Sequence, residues 1–392
     1  MSLKNDFNSE VVNMEPSRLR EFSQKLDLDP KMIRLTLGEP DFDVPNHIKK
    51  AVIDAIKKNY SHYPNYKGIL PLRKAIAKYY TNKFDLPKYT YENVLCTVGS
   101  TEAAAATLKA LFNPGDAIII PMPTYPLYPA LTEMNGLVPV KINTEKDNFI
   151  LTPQKLKQTI KENPDLHFKG IIINDPSNPT GIVYSPAALQ QLAKVIKKEK
   201  LWVISDEIYA ELTYGVKHYS LSKWLPSQTI IINGLSKSHA MTGWRLGFAL
   251  GPLNAMKQID KSHLAMVTSP TSIIQYGGLE ALTHGQNDAD YMKKQYKKRR
   301  DFLQKKLTKI GFSVPKAQGA FYIFAKIPDY CNQNSDQFAE NLAKRHHIGI
   351  MPGKPFGNNN YIRISYAASL ANLKKAISEI EFFIKSISKS KG

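Results

Sequence analysis

The chain has 392 residues, enough for two or three lobes at roughly 150 residues each, so a small recognition module is excluded. Hydrophobic residues make up 43% and charged residues 22%, a globular balance far from the composition that keeps chains disordered. The 53 Lys and Arg against 34 Asp and Glu leave a net charge of +19, which on its face invites a nucleic-acid or anionic-membrane partner. The two cysteines, Cys96 and Cys331, stand apart from any Cys/His grouping, which argues against a disulfide framework or a cysteine zinc site. The N-terminus has acidic residues where a signal peptide needs an apolar stretch, and no run resembles a membrane span of about 18 apolar residues. A cytoplasmic, reducing location with no membrane association and no metal is expected.

In chain order, residues 1–45 carry Pro16, Pro30, Pro40 and Pro45 and look too irregular to fold alone; they are expected to pack on a C-terminal domain. Seven short apolar runs follow, at 93–98, 117–121, 136–142, 170–174, 201–205, 229–233 and 245–250. Runs such as Ile171-Ile172-Ile173-Asn174 lack in/out alternation, which suits strands buried on both faces of a parallel sheet. Helical patterns between them predict a three-layer α/β/α domain over 46–285 with a mostly parallel seven-stranded sheet. Only eleven residues, 234–244, join the last two runs, too few for an ordinary helical crossover, so the final strand is expected to enter antiparallel. From 286 to 392 the texture changes to a smaller α+β domain: a basic helix over 290–310 with a solvated polar face, strands near 312–314, 320–324, 349–351 and 362–366, and a helix from Leu370. Its Lys/Ser tail, 385–392, is expected to fray.

Ligands bind beyond the carboxyl ends of strands in open parallel sheets, and four strand ends carry polar chemistry. Val98-Gly99-Ser100-Thr101-Glu102 is a strand, a small-residue turn and a helix start, either an anion site or an ordinary Ser/Thr N-cap. It is neither a Walker A loop nor a dinucleotide fingerprint. Asn174 to Gly181 is a Pro-rich turn that either is only a turn or aims the Asn178 amide into a cleft. Ser205-Asp206-Glu207-Ile208-Tyr209 offers a helix cap or a carboxylate poised against a cation. The loop from Asn233 to Gly247 holds Lys237 between two buried strands, where desolvation beside another cation would lower its pKa toward nucleophilic range. His239 in the same loop reads more simply as a structural histidine.

Together these motifs resemble the fold type I, pyridoxal-phosphate-dependent aminotransferases of class I/II, along nearly the whole chain from Leu35-Thr-Leu-Gly-Glu-Pro to Tyr361-Ile-Arg-Ile-Ser-Tyr. The resemblance implies pyridoxal 5′-phosphate as cofactor, with Lys237 as its covalent anchor and proton carrier. It further implies Asp206 against the pyridinium nitrogen, Tyr209 and Asn178 on the ring O3′, and Tyr125 stacked on the ring. Gly99, Ser100, Thr101 and Arg245 would hold the phosphate, and Arg363 with Gly38 the substrate α-carboxylate. Tyr63 matches a tyrosine that reaches the phosphate of a neighbouring subunit, which implies a homodimer with shared active sites. Gly234 stands where many relatives place a phosphate-binding serine. Thr101 stands where relatives that prefer dicarboxylic substrates can carry lysine, so a dedicated aspartate enzyme is not expected.

The texture of these motifs is similar to that of aromatic amino acid and N-acetyl-diaminopimelate aminotransferases. An aromatic donor, with ping-pong transfer to a 2-oxo acid such as 2-oxoglutarate, is the expectation, because Leu37, Tyr66, Tyr128 and Tyr322 could line an apolar pocket. N-acetyl-diaminopimelate transamination, or carbon–sulfur lysis on the same fold, is the alternative. The basic residues are spread along the chain with no nucleic-acid motif among them, so the substrates are small molecules and no nucleic-acid partner is expected.

Overall fold

The computed structural model describes residues 7–12, 14 and 16–389. Strand β1 is Ile33–Arg34, and β2 to β8 are Val94–Val98, Ala117–Met122, Val138–Asn143, Phe168–Asn174, Trp202–Asp206, Thr229–Gly234 and Leu246–Leu250. The last four are β9 Tyr322–Lys326, β10 Ile348–Gly349, β11 Met351–Pro352 and β12 Tyr361–Ser365. Strands β2 to β8 form one seven-stranded sheet in the order β2-β8-β7-β6-β5-β3-β4. Pairings from β7 through β4 are parallel, while β8 runs antiparallel to both neighbours, β2 and β7. The short link therefore does what its length requires.

Alternate residues of the buried runs feed opposite faces. Ile118, Ile120, Ile172, Ile204, Ile230 and Ile232 join a core with the helices Gly99–Leu111, Leu127–Met134 and Leu253–Val267. Ile119, Ile171, Ile173 and Val203 pack on the other face against Pro186–Lys198, and Ile231 joins Leu70–Phe84. Because both faces are covered, every position of β7 is buried, and the uniformly apolar text follows. Among the described residues no helix is long and apolar enough to cross a membrane.

The C-terminal part departs from expectation in several places. No strand forms at 312–314; Ser313 makes only an isolated bridge to Lys326, between the Gly311 turn and Pro315. The run at 349–351 divides: β10 pairs in parallel with β1, whereas β11 joins β12 and β9 in an antiparallel three-stranded sheet. A helix at Ser335–His346 went unforeseen, although its capping box, Asn334 with Gln337, is legible in the sequence. The basic helix spans Asp288–Lys309, and its face is not wholly solvated. Arg299 is buried against Asp41 at 2.7 Å, and Arg300 is buried donating to the Ala317 carbonyl at 2.5 Å. The final helix, Leu370–Lys389, extends through most of the expected frayed tail; the remainder lies outside the described residues. Upstream, Leu35 belongs to the same core as Tyr322, Ile362 and Ile364.

A Cβ added at Gly247 in β8 would collide with the backbone of Gly99 and Ser100. Gly247→Ala is expected to lower stability by about 1–3 kcal/mol, read as a fall in thermal midpoint, since backbone cannot yield as a side chain does.

Candidate active site

The carboxyl ends of β2, β5, β6 and β7 converge, and β8 leaves from the same edge. At the end of β2, Gly99 adopts φ +77° and opens the helix Gly99–Leu111. A Cβ there would meet only the movable end of the Arg245 side chain, so it is the left-handed conformation that calls for glycine. The N-cap is Val98, with no side-chain cap bond. Ser100 and Thr101 therefore lie inside the first turn, and the ordinary Ser/Thr cap is not what forms. Arg245, also at positive φ, projects exposed beside this turn and donates to the Thr242 carbonyl at 2.9 Å. Free N–H groups of a helix start next to a guanidinium make an anion cradle. Gly234 is explained here: a Cβ would stand 2.9 Å from the Leu246 carbonyl oxygen across the β7–β8 pairing.

Lys237 follows β7 and reaches across to donate to the Gly38 carbonyl at 2.5 Å, with its Nζ 6.0 Å from the centre of the Tyr209 ring. Burial pulls its pKa down to about 8, helped by Arg245 and Arg363 and opposed by Glu39 and Asp206. Asp206, at the end of β6, is 7% exposed. One carboxylate oxygen accepts the Ile208 N–H at 3.1 Å and the other the Tyr128 hydroxyl at 2.8 Å. Burial pushes its pKa up to about 6, so a cation placed beside it would be strongly favoured. Asp206 is thus both a turn cap and a buried carboxylate; the two readings of the motif were not exclusive.

Arg363, in β12, is 3% exposed, unlike an ordinary strand-start arginine. It donates to the Asn178 side-chain oxygen at 3.1 Å and the Thr36 carbonyl at 2.6 Å, over the rings of Tyr322 and Phe356 at 4.4 and 4.8 Å. Its Nε is buried without a partner. Of five guanidinium hydrogens two are engaged, so donors remain for a carboxylate. Asn178 is held by its own N–H to Asn174 Oδ1 at 2.7 Å, and Asn174 reaches the Asp206 carbonyl at 3.1 Å. The Tyr209 hydroxyl meets that of Tyr322 at 2.9 Å. Tyr125, half-buried, meets Tyr128 edge to face. Gly38, Lys237, Asp206, Asn178, Tyr209 and Arg363 are thereby linked by direct contacts or charge.

Tyr63 does not join this group; it is 87% exposed on the protein surface. His239 is structural: buried, it bonds Ser238 and the Gly285 carbonyl, and burial lowers its pKa. Of the four side chains behind the aromatic expectation, Tyr128 serves Asp206, Tyr322 serves Tyr209 and Arg363, Tyr66 lines a separate groove with Lys257 and Asp260, and Leu37 is half-buried. The role of Tyr128 was missed because 78 positions separate it from Asp206, and no local pattern marks such a pair.

Residues 30–380 match the family model for class I and II aminotransferases. The chain is 37% identical to a Bacillus subtilis protein named "Probable N-acetyl-LL-diaminopimelate aminotransferase", over 96% of this chain and 95% of that one. An aspartate aminotransferase from Thermus thermophilus with maleate superposes with TM-score 0.91 at 32% identity, covering 96% and 99%. An aromatic aminotransferase from Pyrococcus horikoshii gives 0.86 at 34%, covering 93% and 99%.

An acid held above its unfolded pKa binds its proton more tightly when folded. The stabilising contribution of protonated Asp206 is therefore complete below about 3.8 and lost as pH rises through about 6, a loss of about 3 kcal/mol. Tyr128→Phe removes a donor to the carboxylate and should extend that loss to higher pH. Unfolding midpoints of the cofactor-free protein between pH 4 and 8, referred to Asp206→Asn, measure it.

Proposed function

Since the chain belongs to the class I and II aminotransferases, we propose that it moves the amino group of an L-amino acid to a 2-oxo acid in two alternating half-reactions, the carbon–sulfur lyase alternative being the one that would pass no amino group to 2-oxoglutarate. Enzymes of this family and fold use pyridoxal 5′-phosphate, and the residues fit it: an anion cradle at Gly99 and Arg245, a buried carboxylate at Asp206, and a desolvated amine at Lys237. Bound, the cofactor supplies an electron sink for the electrons left on the substrate Cα.

The first-turn N–H groups of Gly99, Ser100 and Thr101, together with Arg245, hold the phosphate. Asp206, ionised once a cation lies beside it, keeps the ring nitrogen protonated. Tyr209 and Asn178 would hold the ring oxygen, and Tyr125 would pack against the ring. Lys237 anchors the cofactor and then carries the proton at the substrate Cα; with a pKa of about 8, about a tenth of such amines are neutral at pH 7. Tyr63, exposed as it is, reaches a second copy's phosphate in a homodimer. Residues 46–285 act as the cofactor-binding domain and 286–392 as a smaller one.

The observation that carries the reading is Arg363, buried with unpaired donors beside Asn178 and linked through its charge to Lys237. A planar fork in that position suits an α-carboxylate.

For the donor side chain we favour a second carboxylate. Arg20, on the helix Arg18–Asp27, acts electrostatically on the Tyr125 phenol alongside Arg363 and Arg245, and its neighbour Leu19 packs on the cluster containing Phe356 and Tyr361. On this reading Arg20, exposed on its helix, would supply the cation that Thr101 does not. The rings of Tyr125 and Phe356 favour the second reading, an aromatic donor.

Lys237→Ala should abolish transfer and borohydride fixation of the cofactor, while Asp206→Ala should still bind cofactor and lose transfer by about 10²-fold or more. Wild-type turnover in either would refute the assigned role. A donor panel of aspartate, N-acetyl-LL-diaminopimelate, phenylalanine, tyrosine and alanine decides specificity. Arg20→Ala should raise KM for the acidic donors about tenfold and leave phenylalanine within about twofold; phenylalanine or tyrosine as best donor, unaffected by Arg20, selects the aromatic reading.

A further inference from the structure

Directly behind the site lies a charged group that none of the steps above uses. Glu207, next to Asp206, is 1% exposed, His218 2% and Asp175 2%. One Glu207 oxygen accepts the Ser205 and Ser220 hydroxyls at 2.7 and 2.5 Å, and the other accepts His218 Nε2–H at 2.9 Å. The opposite ring nitrogen of His218 stands 3.6 Å from Asp175 Oδ2, whose partner oxygen accepts the Tyr184 N–H at 3.1 Å. The Phe84 ring closes the imidazole edge to face, and Tyr80 and Tyr89 are the other titratable groups near Glu207. Burial by itself would discharge His218, but Glu207 and Asp175 hold its pKa up at about 10, so the ring is an imidazolium throughout the physiological range.

The placement of the two carboxylates matters. Glu207 immediately follows Asp206, and Asp175 opens the turn that presents Asn178. Backbone contacts already knit these strand ends, with Asp175 N–H donating to the Asp206 carbonyl at 3.1 Å. We propose that His218 is a positioning residue: its imidazolium, clamped between Glu207 and Asp175, locks the Asp206 strand end to the Asn178 turn and balances the charge behind Asp206. Removing the cation leaves Glu207 as an uncompensated buried carboxylate one residue from Asp206. The Asn178 turn is released at the same time. Misplacement of reacting groups by about 1 Å is enough to lose about 10²-fold in rate.

The inference rests on the transamination reading, and its test begins with wild-type protein. A wild type that neither binds pyridoxal phosphate nor transfers an amino group sinks that reading itself, whereas an active wild type leaves His218 to be judged alone. In His218→Gln, kcat should fall at least about tenfold, with donor KM within about threefold. Pyridoxal-phosphate affinity of the cofactor-free protein should weaken about tenfold, and the pH midpoint of the bound cofactor's absorbance should move. Adding Glu207→Gln, which discharges the orphaned carboxylate but leaves the turn free, should recover part of the lost kcat and stop at least about threefold below wild type. Ser220→Ala, which removes one hydrogen bond and keeps the ion pair, should lower the thermal midpoint and leave kcat unchanged. Loss of thermal stability alone in His218→Gln, with kcat, affinity and absorbance midpoint as in wild type, overturns the proposal. If that variant does not fold, Asp175→Asn, which keeps the Glu207 pair and frees only the turn, must lower kcat at least about threefold; wild-type kcat there overturns it equally.

Discussion

The antiparallel insertion of β8 between β2 and β7 is the constraint from which the site follows. Were β8 another parallel strand, the loop after β7 would cross to the far end of the sheet and carry Arg245 away. Instead it doubles back within eleven residues and places Arg245 beside Gly99, at the end of β2, while keeping Lys237 over the cleft. Close approach is bought with glycines at 234 and 247, where backbone lies against backbone.

Around that hinge of topology, three charges are kept in unlike surroundings. Arg363 is buried on two aromatic rings, Lys237 is desolvated and shifted toward neutrality, and Arg245 remains at the rim in contact with solvent. Low dielectric strengthens what buried Arg363 and half-buried Lys237 can do for a bound anion, and the exposed arginine is the first to meet one arriving. Of the +19 surplus, this local arrangement carries functional meaning; elsewhere positive charge is absorbed structurally, as Arg299 with Asp41 shows.

Asp206 shows how much of such a site is built from behind. Its own carboxylate is tuned by Tyr128 and the Ile208 amide, and its strand end is tied through Glu207, His218 and Asp175 to the turn bearing Asn178. The His218–Glu207 side of this network is hydrogen-bonded, whereas His218 Nδ1 and Asp175 Oδ2 meet only as an ion pair at 3.6 Å, each without a hydrogen-bond partner. The long sequence separations within it, 78 positions for Tyr128 and Asp206 and 11 for Glu207 and His218, leave no periodic trace.

The seven core strands, the antiparallel last strand and the polar residues at the strand ends were readable from the chain alone. Burial on both sheet faces writes an uninterrupted apolar run, turn residues bound it, and an eleven-residue link admits few geometries. Lys237, Asp206 and Asn178 stood out because each follows such a run, whereas Arg363 was singled out only through the family resemblance. What only the tertiary structure decided is who stands beside whom. It assigned Tyr128 and Tyr322 to hydrogen bonds instead of a free pocket wall, split 349–351 between two sheets, dissolved the strand at 312–314, and brought His218 between Glu207 and Asp175. Those outcomes depend on contacts between distant segments, whose free energy is settled by packing and desolvation when the layers close, and local sequence encodes neither.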